Sequence, residues 1–309
     1  MIEDTIYELK SLYRDNMRIH CRKFGSGEKS AVIAGGVRGN EIQQMFSCAM
    51  LVKRLSELEK QGKITEGKSI AVVPVINPYS MNIEKRFWPT DNTDINRMFP
   101  GYNLGETTQR VAAGMFEKVT GYKYGIHFAS NYIPGKFVPH IRLMDTGWDY
   151  TEDAKAFGLP YIVKRKPHPY DTTTLSYNWQ IWETESFSLF TNQTDTIDIK
   201  GADDAVTAVL NFLNSKGIVQ FGGHKGYISS IIDESSMIPI KSSTAGIFRS
   251  FTDTNETVQK GDVMAHILDP YDCSVQTEIT APTDGIVFFT QAKSLAYANA
   301  VLFKLIPTE

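Results

Sequence analysis

Cysteine is scarce in this chain of 309 residues. The three present, Cys21, Cys48 and Cys273, lie far apart and form no Cys-x-x-Cys pair. The odd number argues against a disulfide framework and fits a reducing compartment. Net charge is small, −3 at pH 7, so neither a nucleic acid nor an anionic membrane surface is expected as a partner. No uncharged apolar run approaches the roughly 18 residues that a membrane-spanning helix needs. The acidic start, Met-Ile-Glu-Asp-Thr-Ile-Tyr-Glu, lacks the apolar core of a secretory signal, so a cytoplasmic location is expected. Repeats and low-complexity tracts are missing too. What remains is ordinary globular composition, 42% apolar and 22% charged, enough for one large domain or a large and a small one.

The stretch Val-Ile-Ala-Gly-Gly-Val-Arg-Gly-Asn-Glu over 32–41 organises the rest. An apolar run ends in two glycines and a charged tip, as buried strands do when they open onto a crevice at their carboxyl ends. Residues 31–37 are predicted as this strand. A helix over 41–60 follows, with Met45, Cys48, Ala49, Val52 and Leu55 on one stripe. A second apolar strand at 69–77 completes a βαβ unit. Helical spacing predicts a helix over 3–15, and 19–24 reads as a strand. Residues 78–104 form a long irregular excursion rich in aromatics and paired charges, which is typical of a functional loop. Helices are expected at 105–120, 151–157, 174–184 and 202–215. Strands are expected at 122–128, 137–144, 161–164 and 187–190. After the glycine-punctuated segment 222–226 the helical period disappears, and only short strands separated by turns follow. The expected fold is therefore an α/β domain over 1–217, with a mostly parallel twisted sheet and helices on both faces, and a smaller all-β domain over 227–309.

Several motifs lie on this frame: Gly35-Gly-Val-Arg38-Gly-Asn-Glu41, Asn77-Pro, Arg86, Asp94-Ile-Asn96-Arg97-Met-Phe99-Pro100-Gly101, and Ile126-His127. In order and spacing across 31–215 they resemble the succinylglutamate desuccinylase/aspartoacylase branch of the zinc carboxypeptidases, with 94–101 the most specific match. Thr244-Ala-Gly246, 258–262 and 281–285 resemble a biotinyl/lipoyl-type hammerhead. Gln276, Thr277 and Glu278 stand where a carrier keeps its modified lysine, so no carrier role is expected. The resemblance implies zinc-dependent hydrolysis of an N-acyl amino acid. It assigns metal-ligand roles to Glu41 and His127 and substrate roles to Arg86, Asn96 and Arg97, because a guanidinium fork matches a carboxylate; Arg38 is expected to join them in an anion-binding frame as a further substrate-binding residue.

The departures from that pattern carry the functional expectation. Arg38 stands where the first ligand histidine belongs, and an arginine offers no lone pair to a metal. Gly125 replaces an acidic residue two positions before His127. The general-base glutamate falls on Phe190, with Glu185 or Glu183 the alternatives in a shifted register. The expected protein is an impaired or repurposed family member, with zinc doubtful, that binds a small carboxylate-bearing molecule such as an N-acyl amino acid. An active zinc hydrolase using Glu41, His127 and a substitute ligand, drawn from His140 or His168, stays open. So do a structural or regulatory subunit and a homo-oligomer. The plainer readings of the same residues are an Arg38–Glu41 ion pair, Arg86 and Arg97 paired with Asp91 or Asp94, and a hydrogen-bonded core histidine at 127. His20, His224 and His266 are expected at the surface or in packing.

Overall fold

The computed structural model describes residues 1–13, 15–132, 134–224 and 226–308. Arg14, within the segment expected to be helical, and Lys225, within 222–226, lie outside the described residues. In chain order the elements are β1 (Ile2–Leu9), β2 (Met17–Gly25), β3 (Glu28–Ala34), α1 (Ile42–Lys60), β4 (Lys68–Val73), α2 (Pro78–Met81) and α3 (Thr107–Val119). Then come β5 (Tyr124–Ala129), β6 (Gly135–Phe137), β7 (His140–Met144), α4 (Thr151–Ala154), β8 (Tyr161–Arg165), α5 (Leu175–Ile181), β9 (Glu185–Phe190), α6 (Ile199–Ser215) and β10 (Ser230–Asp233). The chain divides into two compact units, 1–130 with 139–231, and 131–138 with 232–309.

The first unit is built on a sheet ordered β1-β2-β4-β3-β5-β9-β7-β8-β10. Its centre is parallel: β3 pairs with β4 and β5, and β5 with β9. Antiparallel pairs, β1–β2, β2–β4 and β7–β9, flank that centre. The central strands are apolar and buried on both faces, as a sheet covered by helices on both sides requires. One core packs Leu51 and Leu55 of α1 and Val209 and Phe212 of α6 against one face. The other packs Val111 and Met115 of α3 and Trp179 of α5 against the opposite face. Gly36 turns the chain out of β3 at φ +50°, where a Cβ would meet Met45 Cγ at 2.7 Å and Pro74 O at 2.8 Å. The carboxyl ends of β3 and β5, with Ala34 beside His127, therefore open onto one edge.

One expectation is corrected. Residues 3–15 do not form a helix: Ile2–Leu9 is the edge strand β1, paired antiparallel with β2. The segment 131–138, inside the range read as α/β, groups with the second unit, because Gly135–Phe137 pairs with the strand Gly285–Gln291.

The second unit is all β. Its remaining strands are β11 (Ile238–Lys241), β12 (Gly246–Ser250), β13 (Thr257–Val258), β14 (Val263–Leu268), β15 (Val275–Thr280), β16 (Gly285–Gln291), β17 (Leu295–Ala296) and β18 (Val301–Pro307). They form the sheets β11-β18-β16-β13, with β6 on β16, and β15-β14-β12-β17. Met264, Ile267, Val287, Leu302 and Phe303 fill the core. Among the described residues no helix is long and apolar enough to cross a membrane.

Candidate functional site

The turn after β3 brings Arg38 inward, where it is only 3% exposed. A buried guanidinium must be paired and hydrogen-bonded, and every nitrogen of this one has a partner. Nη1 donates to Glu41 Oε1 at 2.9 Å and to Ser130 Oγ at 3.4 Å. Nε donates to both carboxylate oxygens of Asp94, at 3.0 and 3.1 Å, and Nη2 to Asp94 Oδ2 at 3.0 Å. The Arg38 backbone N–H donates to Glu41 Oε2 at 3.1 Å. Glu41 is fully buried and also accepts from the Ser130 hydroxyl. Asp94 takes a second guanidinium, Arg86 Nη2 at 2.9 Å, and the Asn96 N–H at 3.0 Å.

This is a closed charge cluster. Burial pulls the Arg38 value down, but Glu41 and Asp94 more than offset it, so Arg38 is held above its ordinary range. Burial pushes the Asp94 carboxyl up, and Arg38 and Arg86 reverse that, holding it below the usual carboxylate range. The substrate role expected of Arg38 meets a different geometry, since its guanidinium is turned onto Glu41 and Asp94. Asp94, which the sequence suggests only as a partner for Arg86 or Arg97, is the hub. Its Asp-x-Asn-Arg setting is the available signal.

Arg97 differs from its neighbours. Its Nη1 donates to the Asn96 carbonyl at 3.2 Å, and among the described residues it has no carboxylate at ion-pair distance. Asn96 uses its Oδ1 to accept from the Leu175 N–H at 3.0 Å. Asp91 is engaged by Thr93 and Thr108, from which it accepts.

His127 is buried, with Nδ1 3.2 Å from Ser176 Oγ, which in turn accepts from Ser188 Oγ at 2.9 Å. Its Nε2 is buried without a hydrogen-bond partner among the described residues. Burial first, with the Arg38 charge adding to it against Glu41, lowers its pKa to about 4, so the ring is neutral at pH 7.

These residues fit a zinc ion poorly. Glu41 already spends both oxygens on Arg38, whose fixed charge occupies the neighbourhood. Among the described residues no group of three or more His, Cys, Asp or Glu could hold a metal. The donor set does not fit the ion.

Phe190 ends β9 beside Ala129, one residue before Ser130. Its ring stacks on His140, with centroids 4.8 Å apart and planes 2° apart, and Arg142 Cζ lies 4.1 Å from its centroid. His140 is thus a packing partner. His168 Nδ1 lies 3.1 Å from Arg165 Nη2, and its ring stacks on Tyr170, so a cation faces that nitrogen. Glu185 is at the opposite end of β9, level with Tyr124. Five residues at about 3.3 Å each put it roughly 16 Å from Phe190, away from the crevice.

Gly125 has a steric reason. A Cβ there would meet Trp179 Cε3 at 2.7 Å and Thr184 Cγ2 at 3.0 Å, and Trp179 is anchored by its Nε1 donating to Val119 O at 3.1 Å. Gly125→Asp should therefore lower unfolding free energy by about 1–3 kcal/mol through overpacking alone, measured by urea denaturation. An unchanged midpoint would show that Trp179 yields easily.

Comparison with known proteins places these features. Residues 28–130 match the family model described as the succinylglutamate desuccinylase/aspartoacylase catalytic domain. An N-alpha-acetyl-L-2,4-diaminobutyric acid deacetylase of Halomonas elongata is 27% identical over 154 residues, which span 46% of this chain and 41% of that relative. The match thus reaches about two-fifths of the relative's length. Among solved structures, a succinylglutamate desuccinylase/aspartoacylase from Rhodobacter sphaeroides superposes with TM-score 0.79 at 20% identity, covering 98% of this chain and 95% of that one. The product-bound ectoine utilization protein EutE from Ruegeria pomeroyi superposes with TM-score 0.77 at 17% identity, covering 95% and 90%. At these identities the likeness is one of fold.

Proposed function

Starting from the membership of this chain in the succinylglutamate desuccinylase/aspartoacylase family, a deacylase family, we propose that it binds a small carboxylate-bearing molecule of the N-acyl amino acid class without hydrolysing it. The observation that carries this reading is the Arg38 guanidinium seated between Glu41 and Asp94. A fixed internal cation stands where the resemblance calls for a histidine ligand, and Glu41 is spent on it. Phe190, an aromatic ring, holds the position assigned to the general base. Arg97 and the Asn96 amide keep the means of binding a carboxylate. The acyl diamino acid named for the Halomonas relative belongs to the same ligand class.

The expected result of zinc loading followed by dialysis and elemental analysis is far less than one zinc per chain. Calorimetric titration with N-acetylglycine should show saturable binding, weakened by roughly tenfold or more in Arg97→Ala, since a charged hydrogen bond is worth about 1.5–3 kcal/mol. One observation favours a second reading, an active zinc hydrolase: the buried His127 Nε2, without a hydrogen-bond partner among the described residues. About one tightly held zinc per chain would favour that reading and sink the first.

A further inference from the structure

In the sheet β15-β14-β12-β17 of the second unit, successive residues along a strand face opposite ways. Phe248 of β12 and Ile267 of β14 are buried in the core. Their chain neighbours, Ile247 and Arg249 on β12 and His266 and Leu268 on β14, therefore lie on the outer face. An antiparallel sheet with one face on a core commonly keeps polar residues on the other. Here the register sets Leu295 of β17 beside Ile247, Ile247 beside Leu268, and Leu268 beside Val275 of β15. An apolar stripe thus crosses all four strands. Leu295 and Val275 at its ends are 61% and 49% exposed, and Ile247 and Leu268 between them are half-buried. A contiguous apolar patch left on the surface marks a place of contact.

Two residues further along β12 a second row runs beside the stripe. Arg249, His266 and Glu278 are cross-strand partners, with the cation on β12 and the carboxylate on β15. His266 Nε2 lies 3.6 Å from Glu278 Oε1. Arg249 Cζ lies 5.4 Å from the ring centroid of Phe251, which is itself exposed. Among the described residues Arg249 has no carboxylate at ion-pair distance. The outer face therefore joins an apolar stripe to a row that is positive at one end and negative at the other.

We propose that this face binds the same face of a second copy of this chain. The order of the charges selects that occupant. Because β14 lies between β12 and β15, a two-fold axis parallel to β14, midway between two sheets packed face to face, places β12 of one protomer over β15 of its partner. Stripe then meets stripe, with Val275 over Ile247, and Arg249 meets Glu278 twice in each dimer. A purely apolar partner would bury both charges without counter-charges, at a cost. The proposal is independent of the carboxylate-binding reading, because this face contains no residue of that site.

The test is sedimentation equilibrium of the whole protein. The wild type should reach twice the chain mass below about 100 μM. Arg249→Glu and Glu278→Arg should each raise the dissociation constant by about tenfold or more, since each like-charge contact is made twice. The double variant should return to within about threefold of the wild type, because its row is reversed in sign and complementary again. Val275→Asp should abolish the dimer. These side chains are exposed, so melting temperatures of the isolated protomers should match, which separates association from folding. A wild type that stays monomeric at that concentration overturns the second copy as occupant. A dimer that Val275→Asp and both charge reversals leave intact is built on another face and overturns it as well. Single reversals that weaken the dimer without recovery in the double variant overturn the pairing of Arg249 with Glu278.

Discussion

Replacing Arg38 by methionine should cost about 3–5 kcal/mol of unfolding free energy at pH 7, the range for removing one member of a buried ion pair. The cost comes from what is left behind. Glu41 is fully buried, and after the substitution it retains, among the described residues, the Ser130 hydroxyl and the residue 38 N–H. Asp94 keeps Arg86 and the Asn96 N–H but loses three contacts. Methionine fills much of the volume, so the loss is one of charge compensation rather than of packing. Arg38→Lys should fall between, since an ammonium keeps the charge but not the fork.

The pH dependence identifies the cause. The native Asp94 carboxyl lies below the usual range. A group with a depressed native pKa stabilises the fold above its unfolded value, about 3.9, and loses that contribution as pH falls through the native value. Arg38→Met removes part of this contribution, so the gap between the wild type and the variant should be widest near neutrality and should narrow below about pH 4. Urea titrations at pH 7, 5 and 3.5 measure it. A gap under about 1 kcal/mol at pH 7 would mean that water or a shifted Arg86 replaces the guanidinium, and the closed cluster would not stand.

The local part of this site was legible and the assembled part was not. Gly35, Arg38 and Glu41 lie within seven positions, so a strand end, a turn and a charged pair could be read from spacing, and the pair forms at 2.9 Å. The apolar runs of β3, β4 and β5 are short and rich in β-branched and aromatic residues, so they read as strands buried on both faces, as a parallel sheet covered by helices requires. Ser130 and Asp94 as hub escaped because each arrives from a separate loop, through contacts that span 56 or more positions. The mistaken helix at the start has a similar origin. Ile6 and Leu9 fit a helical stripe, but β1 is an edge strand whose outward face is exposed, and its pairing with β2 overrides the local pattern. Residues 135–137 carry too little pattern for a three-residue strand to be read, and the partner β16 lies far along the chain.

The resemblance suggests restoring the missing groups with Arg38→His and Phe190→Glu, and the structure says this pair should restore only half of the chemistry. With Arg38 gone, the Glu41 oxygens are released, and the new imidazole, Glu41 and His127 offer the nitrogen and carboxylate donors that zinc prefers. Zinc after dialysis should rise from far below one to about one per chain. Hydrolysis should still be absent. A glutamate at 190 would take the place of a ring that has Arg142 Cζ 4.1 Å from its centroid. A carboxylate beside a guanidinium is held in its charged form with a lowered pKa, and a general base works best with a pKa near the operating pH. The added proton acceptor would be a weak one and turned toward Arg142. Adding Arg142→Leu as a third change should release it, and only then should turnover of N-acetylglycine exceed that of the single variants. The readouts separate the steps. Deacylase activity in the double variant would show that Arg142 does not hold the residue at 190. No zinc in Arg38→His alone would show that His127 does not face the same place as Glu41, and the assignment of the vestigial metal position would be wrong.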